Sequence, residues 1–457
     1  MGVATRVVQA IVVLGATAGA LLLASRYWPA STLEKQARAA LEAPRDWPGS
    51  NAWADMALIG RDDLDAAGRQ AELAAHVDAH GQWQAQRLQL IRQQAGREPG
   101  QWDLPDPPVL AEGTLPALPE TLTVCGQAAQ GRACLEAVRA DPATAAAWVS
   151  EHAGFLSRLS GLSAHGHLRQ PYEGGLNPST RFPGILGRLG TGRVATALAH
   201  VQGGQARAVE AACRERSLAR MLASQSDTLV AVTVGAAHLQ GGGDWLAALL
   251  EGWPAGTPLP GACAAAGEPL PDSAIGLCAP MSGEFAMGRV AMAEGAAGMG
   301  DRLFASWFLD LGKSGNRSAA ILGRGCLAPA QAAIAADTPV VLDDAGLRSH
   351  WHISCASNSI GCILTGIARP AYRDYVLRMQ DAAASQRLLG AWLWLREQPP
   401  GTDLAAALDQ LPAPYRSTAR PVRASADGRA LEVERYYDKQ GDGPLQLPLP
   451  AAWLPAP

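Results

Sequence analysis

Two H-x-H pairs, His165/His167 and His350/His352, are the residues whose spacing comes nearest to metal chemistry. Residues two apart in an extended segment share a face, so each pair could turn both imidazoles toward one ion, and four nitrogens or an open subset would suit zinc. Against this, no Asp or Glu lies within three residues of His165 or His167, and both stretches fall where loops or element ends are expected. Solvated or singly hydrogen-bonded histidine is the expectation, with these four as the metal candidates. His76 and His80 share a helix face at i, i+4 but lack the glutamate of an H-E-x-x-H site, so they are expected at the surface. His152, His200 and His238 fall on small or apolar helix faces, where a ring usually bonds a backbone carbonyl between packed helices.

Other fragments look like catalytic motifs and fail on spacing. Leu311-Gly312-Lys313-Ser314 has the end of a phosphate-binding loop, but the position five before Gly312 is Trp307 and not glycine. Asn316 is expected instead to cap the next helix. Gly184, Gly187, Gly190 and Gly192 have no strand before them, which favours tight turning over a dinucleotide site. Gly161-x-Ser163 lacks the second glycine of a nucleophile elbow, because His165 stands there. No catalytic residue, cofactor or cofactor-binding residue is assigned.

The cysteines speak to compartment. There are eight, and three pairs are close in sequence: Cys125/Cys134, Cys263/Cys278 and Cys355/Cys362. None has zinc-site C-x₂-C spacing, so a disulfide framework is expected, with Cys213 and Cys326 left to pair by elimination. Such a framework belongs outside the reducing cytosol. Val7 to Ala24 supplies the matching anchor, 18 uncharged residues, about enough to span hydrocarbon. Small residues at A-x-A spacing occur only inside this run, at Ala16, Ala18 and Ala20, and Tyr27 and Trp28 follow where an interfacial belt would sit. A retained span is therefore expected over a cleaved signal. Arg6 on one side faces Arg26, Lys35, Arg38 and Arg45 on the other, so the cysteines decide the orientation.

The elements that position these residues are mainly helical, since alanine is abundant and aromatics make up only 5% of the chain. The balance of 38 Lys+Arg against 42 Asp+Glu excludes a basic field for nucleic acid. Residues 1–25 form a cytoplasmic tip and transmembrane anchor, and 26–50 a juxtamembrane stalk with a helix from Ser31 to Ala43. Residues 51–120 hold short helices, Leu64 to His80 and Trp83 to Gln94 being separated at Gly81, and then a Pro-rich linker. Residues 121–398 are a helical-hairpin core. Within it, Asp141-Pro142 starts a helix carrying Trp148, His152, Phe155 and Leu159 on one face, with further helices over Arg302 to Leu311, Ser318 to Ala336 and Tyr372 to Arg396. Residues 399–457 hold a small β-hairpin turning at Asp427-Gly428 and a Pro-rich tail.

An internal repeat, Ala197 to Gly204 against Gly235 to Gly242, has a period of 38 residues, each copy a small-residue helix expected to end in a Gly-Gly turn. It resembles tetratricopeptide-type helical repeats over about Arg193 to Trp253, without that family's usual period of about 34 or its Trp/Tyr/Pro pattern. The order of an anchor, NAWADMALIG at Asn51–Gly60, CGQAAQGRAC at Cys125–Cys134, helical hairpins, CAPMSGEF at Cys278–Phe285 and a terminal short hairpin resembles uncharacterised single-pass, periplasm-facing helical proteins of Gram-negative bacteria. That resemblance implies an inner-membrane anchor and a periplasmic body, and carries no catalytic residues. The expected function is a membrane-anchored periplasmic scaffold or binding protein with a protein partner in the envelope. A metal-dependent hydrolase using the H-x-H pairs, or an inhibitor of the immunity type, are the competing classes.

Overall fold

The computed structural model describes residues 3–95, 97, 101–172, 181–254, 256–299, 308–342, 346–372, 374–399, 403–438 and 441–454. The chain is mainly α. It begins with α1 (Val3–Arg26), α2 (Thr32–Glu42), α3 (Trp53–Ala57), α4 (Ala66–Gln93) and α5 (Gly131–Ala140). Next come α6 (Pro142–Glu151), α7 (Ala153–Gly161), α8 (Arg193–Val201), α9 (Gln205–Ser224) and α10 (Leu229–Leu249). They are followed by α11 (Asp272–Ile275), α12 (Cys278–Gly298), α13 (Leu311–Leu322), α14 (Ala328–Ala335), α15 (Ser359–Tyr372), α16 (Tyr375–Arg396) and α17 (Leu404–Asp409). A small antiparallel sheet closes the fold, with β1 (Arg423–Ala424) on β2 (Ala430–Val433) and β2 on β3 (Leu445–Pro448).

Local chemistry sets several of these ends. Ser31 and Glu34 form a reciprocal capping box at the start of α2. The Asp141 side chain accepts from the Thr144 amide, and Pro142 occupies the first turn of α6, where no amide is needed. Asp310 caps α13 by accepting from the Lys313 amide. Asn316, expected as the cap, instead lies inside α13 and accepts from Arg38 Nη1 at 3.0 Å.

Helix α10 packs most extensively on α9, and around that pair lie three apolar clusters. One joins α5, α8 and α16 to the sheet; a second joins α2, α12, α13 and α14; a third joins α3, α7 and the turn at Gly184–Gly192. The close approach of α9 and α10 depends on Gly235, where a Cβ would lie 2.6 Å from the Ala223 amide nitrogen and 2.7 Å from the Ala219 carbonyl. A methyl group there would push the two backbones apart.

Tertiary contacts redraw several expected boundaries. Helix α4 runs unbroken through Gly81, and the helix after Asp141 breaks at His152, sending Trp148 into the first cluster and Phe155 and Leu159 into the third. Gly203, with φ of +83°, does turn the chain from α8 into α9. The second Gly-Gly does not, because α10 continues through Gly241–Gly243. These glycines serve contact: Gly241 lies so tightly against the Ala128 carbonyl that no side chain fits. The segment expected as a stalk is embedded, with Ala37 and Leu41 of α2 fully buried against α13 and Gly323. The helix expected from Ser318 is split at Gly323–Cys326, and most of the one expected over Arg302 to Leu311 lies outside the described residues. The Pro-rich tail contributes β3, whose Leu445 and Leu447 point inward beside Leu431 and Val433.

The C-terminal segment is held to the helices by Arg420. Fully buried, this guanidinium bonds Asp381 (2.9 Å), Asp337 (2.7 Å) and the Gln380 carbonyl (2.9 Å), and it stacks 3.7 Å over Tyr436.

Cys125–Cys134 and Cys355–Cys362 form as expected. Cys263 bonds Cys213, and Cys278 bonds Cys326, so the expected Cys263/Cys278 link and the Cys213/Cys326 remainder are both wrong. The reason is spatial: Cys263 lies over α9, which carries Cys213, while Cys278 opens α12 beside the turn that carries Cys326. Non-reducing peptide mapping should recover these two crossed links and no peptide joining Cys263 to Cys278.

A pair of glycine substitutions in α10 tests the packing. Gly→Ala normally stabilises a helix interior by about 1 kcal/mol. Gly243→Ala should do so, since a Cβ there meets nothing nearer than Leu447 Cδ1 at 3.9 Å. Gly235→Ala should instead lower stability by about 1–3 kcal/mol, read by thermal or denaturant melting.

Candidate functional site

The sequence-predicted histidines sit in separate local settings. His165 Nδ1 lies 2.9 Å from Ser50 Oγ, and its Nε2 lies 3.2 Å from Asp55 Oδ2. The His165 hydrogen bond, with Arg69 on the other Asp55 oxygen at 2.7 Å, holds Asp55 below the usual carboxylate range although burial opposes it. His167 Nδ1 faces the Pro48 carbonyl at 2.8 Å, and its ring sits beside Trp47. His350 is exposed against Trp351, while His352 accepts from the Ser354 amide and meets Trp28 edge-on. Among the described residues no three His, Cys, Asp or Glu side chains converge as metal ligands. The two pairs lie in two different loops, where His165, His167 and His352 make the polar contacts described.

His76 and His80 are not surface residues. His80 is buried between Trp83 and Tyr172, and His76 is half-buried against the same tyrosine. Burial lowers both imidazole pKa values, which favours the neutral rings. They line a cavity of about 130 Å³ with Tyr172 and Glu112. Burial pushes Glu112 up, and burial followed by Glu112 pushes Tyr172 to about 12.

The phosphate-loop look-alike is occupied by the protein itself. Lys313 Nζ donates to the Ser25 carbonyl in the last turn of α1 and reaches Ser357 Oγ at 3.2 Å, while Ser314 Oγ donates to Asn358. Carbonyls at a helix C-terminus lack intrahelical donors and carry the negative end of the dipole, so an ammonium fits there. Burial lowers the Lys313 pKa. Ser25 itself is fully buried and bonds both the hydroxyl (2.9 Å) and the amide (2.8 Å) of Ser357. Arg26 pairs with Asp310 at 3.5 Å.

A cleft of about 230 Å³ opens between α7, α8 and α9. Its walls are Leu156, Leu159, Leu189 and Leu218, and its rim carries Ser160, Ser163, Arg207 and Arg214. Glu215 faces it from α9. Arg193, with its side chain fully buried, donates from Nε (2.8 Å) and Nη2 (2.6 Å) to Glu215 Oε1 and from Nη1 to the carbonyls of Gln127 (3.0 Å) and Ala128 (2.8 Å). His238 Nδ1 lies 3.4 Å from the same Glu215 oxygen. Burial works against the charge, yet Arg193 and then His238 bring the Glu215 carboxyl to about 2. Such a group stays ionised and engaged, so it serves as a fixed counter-charge and not as a proton shuttle.

The two repeat histidines therefore differ. His238 faces Glu215, whereas His200 is half-buried near the end of α8 with its Nε2 atom buried and unbonded. The 38-residue period aligns these two residues, but their settings differ because the second copy lies inside one continuous helix. Sequence reasoning also missed Arg193 and Glu215, for which an Arg and a Glu on successive helices are the only signal.

Glu215 gives a signed pH prediction. It is ionised in the folded protein down to about pH 2 but in an unfolded chain only above about its ordinary 4.5. Its stabilisation is thus complete above that value and is lost as the pH falls toward 2, by about 3 kcal/mol. Glu215→Gln should flatten this acid limb. At neutral pH it should destabilise by about 3–5 kcal/mol, since Arg193 remains buried without a counter-ion. Denaturant melts at pH 7 and pH 3 read both effects, and an unchanged acid limb would refute the assignment.

Comparison with family models, curated proteins and solved structures finds no match to this chain.

Proposed function

We propose that this chain is a membrane-anchored binding protein whose body lies in the bacterial periplasm and whose α7–α8–α9 cleft receives an apolar side chain of a protein partner. The observation that carries the reading is the cleft itself. Its walls are apolar and open to solvent, and its one carboxylate is already bound by Arg193 and His238, which favours binding over acid–base catalysis. At about 230 Å³ it falls below the roughly 300 Å³ at which small-molecule sites begin, and it suits one large apolar anchor of the kind that dominates protein interfaces. The exposed Arg207 beside it would pair with an acidic neighbour of that anchor.

Anchoring draws on two further features. The segment Arg6–Arg26 is long and apolar enough to cross a membrane, and four disulfides point to an oxidising compartment. Retention of α1 is supported by its last turn, because removing it would strip Lys313, Ser357 and Asp310 of their partners at Ser25 and Arg26. The inner membrane is the bilayer that fits a single N-terminal span facing a periplasm.

The test places a photo-crosslinking side chain at the rim residue Ser160 in intact cells. A discrete protein adduct should form and stay with the membranes after a carbonate wash. Ala199→Trp, which fills the cleft, should abolish it, and Arg207→Glu should weaken it by about tenfold, or 1.4 kcal/mol. Absence of an adduct, or an adduct indifferent to Ala199→Trp, would sink the reading.

A further inference from the structure

We infer that α15 is a second membrane-contacting element, an amphipathic helix whose Ile363, Leu364 and Ile367 rest in the lipid interface beside the point where α1 leaves the bilayer. The inference rests on the reading of α1 as a retained anchor. It starts from length. The 21 residues Arg6–Arg26 rise about 32 Å, close to the roughly 30 Å of a hydrocarbon core, which puts Ser25 at the boundary.

Depth then passes to the body through hydrogen bonds. Ser25 is bonded directly to Ser357, so Ser357 lies at the same level, and α15 starts two residues later at Ser359. A stripe on α1 extends the argument. From Arg6 to Ser25 every residue is exposed except Gly19, Leu22 and Ser25, which fall on one face at steps of three. The body therefore meets α1 at its last turn, Leu22 to Ser25, about 5 Å along the axis at the end of the apolar span, whereas a Cβ at Gly19 would meet nothing within 4 Å. Protein surface at that depth must itself be apolar.

Helix α15 offers such a surface. Ile363 (58% exposed), Leu364 (48%) and Ile367 (72%) point outward, and no residue from Ser359 to Ile367 is charged. The roll of the helix is fixed. Cys362 and Thr365 are buried on the opposite side, the Cys355–Cys362 disulfide ties its first turn to the preceding loop, and Gly361 presses against Ser314 Oγ and Asn358 with no room for a side chain. The apolar face cannot turn into the core. Trp351 (86% exposed), Tyr27 and Trp28 stand around the exit of α1, where aromatic rings favour the headgroup level. An amphipathic helix in this setting lies in the plane of the interface, about 5–10 Å into the headgroup and acyl boundary.

The experiment uses the full chain in vesicles of phosphatidylethanolamine and phosphatidylglycerol. An environment-sensitive fluorescent side chain is introduced singly at Ile363, Ile367, Val12 and Gln446, the last an exposed position of β3. Nitroxide placed at the top of the lipid acyl chains should quench position 363 and position 367 several-fold more than position 446, while iodide in the water should quench them less. Nitroxide deep in the acyl chains should quench position 12. Quenching at 12 together with iodide access and no lipid quenching at 363 and 367 would overturn this inference and leave the anchor standing. Protection of 363 and 367 from both quenchers would overturn it in favour of a second copy or a protein partner on that face. Absence of lipid quenching at position 12 would remove the anchor and this inference with it. Folding is not at risk, since all four positions are exposed.

Discussion

A guanidinium cannot be deprotonated at any ordinary pH, so a fully buried arginine obliges the surrounding fold to supply acceptors for its fixed donors. Arg193 imposes that obligation at the centre of this protein. Its three partners come from two places: Glu215 on α9, and the carbonyls of Gln127 and Ala128 in the loop that Cys125–Cys134 closes. Through Glu215 it reaches His238 on α10, and its cation lies 5.9 Å from the ring of Trp245. The disulfide loop, α8, α9 and α10 are thus held by one charge. Removing any acceptor leaves a buried donor unpaired, at a cost larger than a surface ion pair would incur.

Arg420 repeats the device at the other end of the chain, joining α16 and the sheet through Asp337 and Asp381. Between these polar centres the packing is built from small residues. Gly235 lets α9 and α10 touch, Gly241 admits the Ala128 carbonyl, and Gly323 admits α2. Alanine and glycine bury little apolar area each, so close backbone approach and satisfied buried charges together supply what a large aromatic core would supply elsewhere. The same economy explains the irregular segment 103–120, which tryptophan side chains pin down: Trp83 donates to the Pro105 carbonyl and Trp148 to that of Ala117.

Helix α1 belongs to this architecture and is not set apart from it by a free stalk. With Ser25 buried, Lys313 on the carbonyl end of α1 and α2 sunk into the second apolar cluster, the body has a set orientation relative to the first helix. A joint built from these contacts sets how α1 leaves the body.

The sequence by itself determined what depends on a few neighbouring residues: the apolar run of α1, the Asp141-Pro142 start of α6, the Asp427-Gly428 turn, the helical class and the short-range links Cys125–Cys134 and Cys355–Cys362. These follow from periodicity, capping and loop closure, which act within a turn or two. Only the tertiary structure decided the partners of Cys213, Cys263, Cys278 and Cys326, because a cysteine bonds whichever cysteine its helix is packed against. It likewise decided that Gly241 and Gly242 serve contact and not a turn, that Lys313 meets a helix end and not a phosphate, and that His165 meets Asp55 from far along the chain. Glycine, lysine and histidine each have several local uses of similar energy, and the contact available after packing selects among them.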